Sequence, residues 1–287
     1  MRYERPETMA QAAALLNAST ERAYVLAGGT DLLVRMHGDD FEADLVVDIK
    51  SIAGACDIAE TEEGFLIGAG VPCAALSEHA GLMAAYPGVV EAANLIGSTQ
   101  IQSRCTMSGN LCNASPAADS VPALVAAGAT VRVTGPNGSR DVPVEDIPMG
   151  PGKTSLQKGE IVEAILLKTP PDGSGDAYLR FIPRTEMDIA VVGVGVSMTR
   201  DADGTVTTAR VALGAVGPKV IISEDAAQAI VGTKLDEAAL DKLAAAATTA
   251  STPIDDKRGT VAFRKKVAGV LAKRAALTAY ARAGDPS

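Results

Sequence analysis

Two adjacent glycines separate two apolar segments near the start of the chain, in the stretch YVLAGGTDLLVRM from Tyr24 to Met36. Glycine can adopt positive φ, and it lacks the Cβ atom that would keep a ligand away from the backbone. Successive backbone N–H groups in such a turn form a concavity that binds anions. Thr30 adds a hydroxyl donor directly after Gly28 and Gly29. By itself the glycine pair is more typical of a tight turn between two strands, and a ligand-binding role needs further support.

A second segment farther along the chain supplies that support. It reads RCTMSGNLCNASPAADSVPAL and runs from Arg104 to Leu124. Ser115 followed by Pro116 predicts the start of a helix, with the serine as cap and the proline in the first helical position. Asp119 would then lie in the opening turns, where a carboxylate is suited to accept a hydrogen bond from a sugar hydroxyl. The segment concentrates small and hydrogen-bonding residues, as expected for a surface that holds a polar, extended ligand: Thr106, Ser108, Gly109, Asn110, Asn113 and Ser115.

Length and charge restrict the classes of function. The chain has 287 residues and a formal net charge of −9, so it is long enough for two domains. An acidic surface repels phosphate backbones and anionic lipids, which argues against nucleic acid and membrane partners. No apolar run approaches the ~18 residues of a membrane helix, and the N-terminus has charges and a proline where a signal peptide is apolar. We expect a cytoplasmic protein whose four cysteines, without a CxxC pair, are reduced thiols.

Periodicity predicts an α+β first domain. The stretch RPETMAQAAALLNAS fits a helix capped by Thr8. DLVVDIKSI, FLIGAGV and GEIVEAILLKTP fit buried strands, and the segment from Cys73 to Gly97 is mostly helical in pattern. The stretch PPDGSG, Pro170 to Gly175, is the clearest linker in the chain. We therefore place the first domain at 1–172.

A different pattern follows the linker and defines a smaller domain at 173–287. The stretches IAVVGVGVSM and TVTTARVALGAV flank a turn at Asp201–Gly204, which predicts an antiparallel hairpin. Alanine-rich helices are expected from about Ser223 to Ala283. The second domain is therefore predicted to be an antiparallel sheet followed by helices, again α+β.

The combination of AGGTDLL with TMSGNLCNASPAADSVPAL resembles the FAD-binding medium subunit of the molybdenum hydroxylases, the family of xanthine dehydrogenase and carbon monoxide dehydrogenase. YLRFIPRTEMDIAVVGVGV, from Tyr178 to Val196, and ALGAVGPKVI resemble later segments of the same family. The resemblance covers nearly the whole chain, including domain order. It implies a two-part FAD-binding domain of the PCMH type, with subdomains at about 1–55 and 56–172. A C-terminal domain of the CO dehydrogenase flavoprotein type would follow.

The resemblance also implies where the cofactor lies. The first glycine turn would wrap the FAD pyrophosphate, and the second segment would lie along the pyrophosphate and flavin. One departure is Ser108, which stands where the family usually has the first glycine of Gly-Gly-Asn. The implied cofactor-binding residues are Val25, Leu26, Ala27, Gly28, Gly29, Thr30, Asp31, Leu32, Ile96, Thr106, Met107, Ser108, Gly109, Asn110, Ser115, Asp119, Val162 and Arg180.

The implied function is that of an FAD-carrying electron-transfer subunit of an oxidoreductase. A large partner subunit would hold the molybdenum cofactor, and a small partner would hold [2Fe-2S] clusters that pass electrons to FAD. An external acceptor such as NAD⁺, a quinone or oxygen would receive them. The expected assembly is a dimer of heterotrimers. No residue of this chain is expected to be catalytic or to bind a metal ion, and the cysteines lack the spacing of an iron-sulfur site.

The sequence lacks the motifs that metal-dependent, hydrolytic and other nucleotide-binding sites require. The two histidines, His37 and His79, belong to no HExxH motif, and a GxSxG elbow and a GxGxxG loop are absent. GPGKT, Gly150 to Thr154, resembles a P-loop, but Ile147 stands where the first glycine is required. Two other functions stay open: a self-sufficient FAD-dependent oxidase, and a non-catalytic nucleotide-binding or assembly protein.

Overall fold

The N-terminal part is a small parallel sheet packed against one helix. The computed structural model describes residues 1–38 and 41–284. The first elements are β1 (Arg2–Glu4), α1 (Met9–Ala18), β2 (Ala23–Leu26), α2 (Leu32–Met36) and β3 (Leu45–Asp48). The strand order is β1-β3-β2, with both pairs parallel. The predicted cap of α1 is confirmed, since Thr8 Oγ1 accepts a hydrogen bond from the Gln11 N–H at 3.1 Å. The glycine turn follows β2 at the carboxyl edge of this sheet.

The middle part is an antiparallel sheet covered by short helices. Its helices are α3 (Cys73–Glu78), α4 (Ala80–Ala85), α5 (Pro87–Ala93), α6 (Thr99–Gln102), α7 (Met107–Cys112) and α8 (Ser120–Ala126). Its strands are β4 (Ile58–Thr61), β5 (Gly64–Gly68), β6 (Thr130–Gly135), β7 (Gly138–Pro143), β8 (Pro148–Gly150), β9 (Lys153–Thr154) and β10 (Ile161–Lys168). The main sheet has the order β4-β5-β10-β6-β7, whereas β8 and β9 form a separate hairpin.

The C-terminal part is a four-stranded antiparallel sheet covered by helices. Its elements are β11 (Ser174–Phe181), β12 (Val192–Arg200), β13 (Val206–Gly214), β14 (Ile221–Ile222), α9 (Glu224–Gln228), α10 (Glu237–Ala250) and α11 (Val261–Arg282). The strand order is β11-β12-β13-β14. The predicted hairpin is confirmed, because β12 and β13 pair across the turn at Asp201–Gly204.

Each part has its own apolar core. The first core packs α1 against β3, the second fills the space between the middle sheet and its helices, and the third lies between the C-terminal sheet and α9–α11. All three are built mainly from Ala, Val, Leu and Ile, because aromatic residues make up only 3% of the chain. Small side chains allow close approach of helix and sheet: a Cβ atom at Gly195 of β12 would lie 2.4 Å from the carbonyl oxygen of Pro122 in α8.

A buried carboxylate joins the C-terminal sheet to the middle part. Asp176 of β11 accepts hydrogen bonds from the backbone N–H groups of Gly88 and Val89, both at 2.9 Å. These amides belong to the first turn of α5, where they have no partner within the helix. Arg282 of α11 donates to the Asp176 carbonyl at 2.8 Å and forms an ion pair with Glu91. The carboxylate therefore caps a helix that lies far from it in sequence.

The predicted start of a helix at Pro116 is wrong. Helix α8 begins at Ser120, and Ser115 instead accepts a hydrogen bond from the Ala117 N–H at 3.3 Å in a local turn. A helix from Pro116 would need its carbonyl to bind the Ser120 N–H. The Pro116 carbonyl binds the Ala215 N–H at 2.7 Å, and the Ser120 N–H binds Asn110 Oδ1 at 3.2 Å. The two backbone groups that a helix from Pro116 would pair with each other are therefore both bound by residues outside that helix.

Candidate cofactor-binding site

The two glycine-containing segments converge on one cavity. It has a volume of about 380 Å³ and lies between the first sheet, helix α7 and the start of β10. Thirteen of the predicted cofactor-binding residues line it: Val25, Ala27, Gly28, Gly29, Thr30, Asp31, Leu32, Ile96, Thr106, Ser108, Gly109, Asn110 and Val162. Five others lie away from its wall: Leu26, Met107, Ser115, Asp119 and Arg180. The structure thus brings together residues from four separate stretches of sequence.

Gly28 lets the two segments touch. A Cβ atom there would lie 2.1 Å from the carbonyl oxygen of Arg104 and 3.0 Å from the Cα of Cys105. Any side chain at this position would force the turn after β2 away from the segment that leads into α7. Because Gly28 has no Cβ, the turn after β2 can contact the segment that leads into α7.

Gly29 turns the chain from strand into helix. Its φ is +82°, in the left-handed region, where a Cβ atom would also lie 2.9 Å from Leu26 Cδ1. Its carbonyl accepts the Leu33 N–H at 2.9 Å as α2 begins. The glycine pair thus joins a strand to a helix, and the sequence-based interpretation of a turn between two strands is wrong. Gly28, Gly29 and Thr30 all line the cavity wall.

Helix α7 presents a row of hydrogen-bonding side chains to the cavity. Thr106 caps it by accepting the Gly109 N–H at 2.9 Å, so its hydroxyl hydrogen stays available as a donor. Asn110 Oδ1 accepts two hydrogen bonds from Ser120, from Oγ at 2.7 Å and from the backbone N–H at 3.2 Å. This orients the amide of Asn110 with its Nδ2 donors left for other partners. Ser108 lies between these residues on the cavity wall.

Asp119 and Arg180 form a buried ion pair beside this row. Arg180 Nη1 lies 2.7 Å from Asp119 Oδ2, and the Tyr178 hydroxyl donates to Asp119 Oδ1 at 3.0 Å. Burial raises the pKa of Asp119 to about 6, although the charge of Arg180 and both hydrogen bonds lower it. Within the described residues, Arg180 Nε is buried without a hydrogen-bond partner. Asp119 is thus tied to the C-terminal sheet, directly before the serine that orients Asn110.

Several cavity residues were not found from the sequence. Tyr24 and Arg35 flank the glycine turn, and Arg35 stacks on Phe41 with its Cζ 4.5 Å from the ring centroid. Strand β9 contributes Thr154, from the sequence that resembles a P-loop. The others are Ala23, Ile49, Ala69, Cys105, Cys112, Leu156, Glu160 and Ile161, whereas Asn113, which the sequence had marked as part of the ligand-holding segment, also lines the cavity. Most of these residues lie in or next to strands, and one-dimensional periodicity does not specify how strands pair; Arg35 and Cys112 instead lie in α2 and α7.

The residues of this cavity fit FAD. A dinucleotide needs uncovered backbone amides for its diphosphate and hydroxyl or amide donors for its polar edges. The glycine turn on the cavity wall can supply such amides, and the lining residues Thr30, Thr106, Ser108 and Asn110 carry side-chain donors. Residues 1–38 and 41–284 contain no cluster of His, Cys, Asp or Glu side chains that could hold a metal ion. No helix among these residues is long and apolar enough to cross a membrane.

Known proteins share both the sequence and the fold. Residues 1–169 match the family described as the FAD binding domain in molybdopterin dehydrogenase. The chain belongs to this family. Residues 177–279 of this flavoprotein match the CO dehydrogenase flavoprotein C-terminal domain. The resemblance found in the sequence and the α+β fold class are thereby confirmed.

Relatives match the flavoprotein from end to end. The carbon monoxide dehydrogenase medium chain of Afipia carboxidovorans is 35% identical over 281 residues, covering 98% of this chain and 97% of the relative. A putative xanthine dehydrogenase FAD-binding subunit of Escherichia coli is 30% identical over 284 residues, with 98% and 97% covered. The solved Cu,Mo-CO dehydrogenase in its cyanide-inactivated form superposes with a TM-score of 0.93, at 35% identity and 98% coverage of both chains.

Proposed function

We propose that this chain is the FAD-carrying electron-transfer subunit of a molybdenum-containing hydroxylase or dehydrogenase. The observation that carries the proposal is the convergence of two glycine-containing segments on one cavity, in a chain that belongs to an FAD-binding family. The medium chain of carbon monoxide dehydrogenase and the FAD-binding subunit of xanthine dehydrogenase are relatives over nearly the full length. The chain would act as an oxidoreductase subunit.

The residues that line the cavity would hold the cofactor. We assign the diphosphate to the backbone amides of Gly28, Gly29 and Thr30, because this glycine turn lines the cavity and carries a hydroxyl donor next to its amides. Thr106, Ser108 and Asn110 would bind and orient the polar edges of FAD. Bound flavin supplies the redox chemistry, since it accepts and donates electrons singly or in pairs. The chain itself would bind and position the cofactor.

Asp119 and Arg180 would act on FAD indirectly, because neither residue lines the cavity. The family resemblance assigns both to FAD binding, together with Leu26, Met107 and Ser115. In the structure Asp119 and Arg180 are buried and form an ion pair with each other, and the Tyr178 hydroxyl donates a hydrogen bond to Asp119. We propose that the pair fixes the start of α8, so that Ser120 can orient Asn110 toward FAD.

The remaining redox centres would lie on partner subunits. We propose a small [2Fe-2S] subunit and a large molybdenum-cofactor subunit, assembled with this chain as a dimer of heterotrimers in the cytoplasm. One solved relative is a Cu,Mo-CO dehydrogenase, whereas no metal-binding cluster occurs among the described residues of this chain. FAD would pass its electrons to an external acceptor.

The domain division is also a proposal. We place an FAD-binding domain at 1–172, with subdomains of about 1–55 and 56–172, and a C-terminal domain at 173–287. Three separate apolar cores support this division. The family matches at 1–169 and 177–279 leave the linker between them.

Purification of the chain tests the function directly. The protein is expected to be yellow, to release FAD on denaturation and to bleach when a chemical reductant is added. Without its partner subunits it is expected to oxidise none of the aldehydes, purines or N-heterocycles offered to it. A colourless chain that binds no added FAD would support the nucleotide-binding or assembly alternative. Steady turnover of a substrate by the chain alone would support the self-sufficient oxidase.

A further inference from the structure

One cationic side chain lines the proposed flavin cavity. Among the described lining residues, Arg35 is basic, whereas Asp31 and Glu160 are acidic. The chain as a whole carries a formal net charge of −9. FAD would bring the negative charges of its diphosphate into these surroundings, where like charges repel it. The amides of the glycine turn contribute only partial positive charges, so a full positive charge near the diphosphate would strengthen binding.

The carboxylate of Glu160 has its own cationic partner. Arg140 Nε lies 2.9 Å from Glu160 Oε1, and Arg140 Nη2 lies 2.8 Å from Glu160 Oε2. This bidentate pair lowers the pKa of Glu160, so the group is charged and compensated at neutral pH. Arg140 lies outside the cavity lining. Arg35 is therefore the cation on the cavity wall that a ligand would meet.

The geometry of α2 directs Arg35 toward the glycine turn. The backbone N–H of Arg35 donates to the Asp31 carbonyl at 3.0 Å, so the two residues lie one helical turn apart on the same face. Side chains of a helix lean toward its N-terminus, and Gly28, Gly29 and Thr30 precede that end. The five positions from Thr30 to Arg35 correspond to about 7 Å along a helix axis. An extended arginine side chain spans such a distance.

An aromatic stack holds the guanidinium of Arg35 in place. Its Cζ lies 4.5 Å from the centroid of the Phe41 ring, and that centroid lies 4.8 Å from the centroid of the Tyr24 ring. Tyr24 lines the cavity, as Arg35 does. Phe41 covers only one face of the guanidinium. The N–H donors in the guanidinium plane therefore stay available for phosphate oxygens.

We propose that Arg35 binds the diphosphate of FAD and that Phe41 positions its guanidinium. The N–H donors of arginine form a planar fork that matches two phosphate oxygens. The amides of the glycine turn bind the diphosphate from one side, and Arg35 binds it from α2. The charge of Arg35 also offsets that of Asp31 on the same helix face. The inference rests on the proposed function, because it assigns a partner to the diphosphate of FAD.

FAD titrations of the full chain at two salt concentrations test the inference. Quenching of flavin fluorescence gives the dissociation constant of FAD-stripped protein in about 0.05 M and about 0.5 M NaCl, between which the Debye length falls about threefold. We expect Arg35→Gln to bind FAD about tenfold more weakly than the wild type at the lower salt, since it loses a hydrogen bond to a charged group. Arg35 is exposed. The difference between the two proteins should therefore shrink at the higher salt, which screens exposed charges.

Three further variants separate the charge of Arg35 from its role in packing. Arg35→Lys keeps the charge and should recover most of the affinity at the lower salt. Phe41→Leu removes the ring beneath the guanidinium and should weaken binding about two- to fivefold, with no further loss when it is combined with Arg35→Gln. Arg132→Gln is the control, because Arg132 forms an exposed ion pair with Asp141 outside the cavity. Its FAD affinity should equal that of the wild type. Urea unfolding checks that each variant is folded.

Two results would overturn the inference. One is an Arg35→Gln protein that binds FAD as tightly as the wild type. The other is a loss of affinity that is equal at both salt concentrations or that Arg132→Gln shares, since neither pattern would arise from a charge at the cavity. In both cases the wild type still binds FAD and the proposed function stands. A wild type that binds no FAD at either salt concentration would refute the proposed function instead, so the two failures are distinguishable.

Discussion

Gly28 and Arg104 are in van der Waals contact through their backbones, and a Cβ atom at Gly28 would lie only 2.1 Å from the Arg104 carbonyl oxygen. These residues belong to the two segments that the sequence marks as ligand-binding. Their contact closes one side of the cavity, because residues next to both of them line its wall. The spacing between the two segments is thus set by the absence of a side chain.

Gly28→Ala is expected to lose most of its FAD. The added methyl group would push the segments apart and lower the free energy of unfolding by about 1–3 kcal/mol, as overpacking does. FAD content per mole of purified protein and urea unfolding measure the two effects. Gly128→Ala is the control: its φ is +66° and its Cβ would meet nothing within 4 Å, so it is expected to cost about 1–2 kcal/mol, the cost of a left-handed backbone for an L-residue, with FAD retained. Equal FAD content in both variants would refute the role of Gly28.

Thr106→Ala is expected to weaken FAD binding about tenfold, which corresponds to the ~1.4 kcal/mol of one net hydrogen bond. It also removes the cap of α7, at a cost of about 1 kcal/mol in the free energy of unfolding. Thr106→Ser keeps the hydroxyl and should restore both. Flavin fluorescence titration and urea unfolding provide the readouts.

A second helix cap separates these two effects of Thr106. Thr8 caps α1 through a hydrogen bond from the Gln11 N–H and lies outside the cavity. Thr8→Ala is therefore expected to lower stability by a similar amount without changing FAD affinity. If Thr8→Ala and Thr106→Ala weaken FAD binding equally, the effect is one of general stability and the assignment of Thr106 fails.

The sequence predicted features whose causes are local. The cap of α1, the β12–β13 hairpin and the glycine turn each depend on residues within a few positions of one another. The segment from Arg104 to Leu124 was also recognisable, since its small and polar residues are consecutive. Thirteen cavity residues followed from these patterns together with the family resemblance.

Features that depend on distant partners were missed. Helix α8 starts at Ser120 because Ala215 binds the Pro116 carbonyl and Asn110 binds the Ser120 N–H. Tyr24 and Thr154 reach the cavity only through strand pairing. No periodicity at Asp176 reveals that it caps a helix 88 residues earlier. Such contacts arise when the sheets pair and pack, which sequence patterns alone do not encode.

Asp119→Ala is expected to lower the free energy of unfolding by about 3–5 kcal/mol, because it leaves the buried guanidinium of Arg180 unpaired. FAD affinity should fall as well, since Ser120 follows directly and orients Asn110. Replacing both partners, as Asp119→Leu with Arg180→Met, should recover most of the stability. The exposed pair of Arg132 and Asp141 provides the control, with at most about 1 kcal/mol expected for Asp141→Ala. Equal losses in the two single variants would show that the Asp119 pair contributes no more than a surface pair.

Asp176 is expected to make stability depend on pH in an unusual direction. Burial raises its pKa from 3.8 to about 6, although the amides of Gly88 and Val89 lower it. Because the folded pKa is the higher one, the stability that Asp176 contributes is fully present below pH 3.8 and is lost as the pH rises through about 6.

The comparison with Asp176→Asn isolates this effect, since asparagine does not titrate. The free energy of unfolding of the wild type minus that of the variant should fall between about pH 4 and pH 7, by at most about 3 kcal/mol. Urea unfolding at several pH values measures it, with the exposed Asp172→Asn as the control for loss of one negative charge. If the difference in the free energy of unfolding rises with pH instead, the α5 amides lower the pKa of Asp176 by more than burial raises it. Asp176 would then be a charged cap throughout this range, and the joint between the two parts of the protein would be strongest at neutral pH.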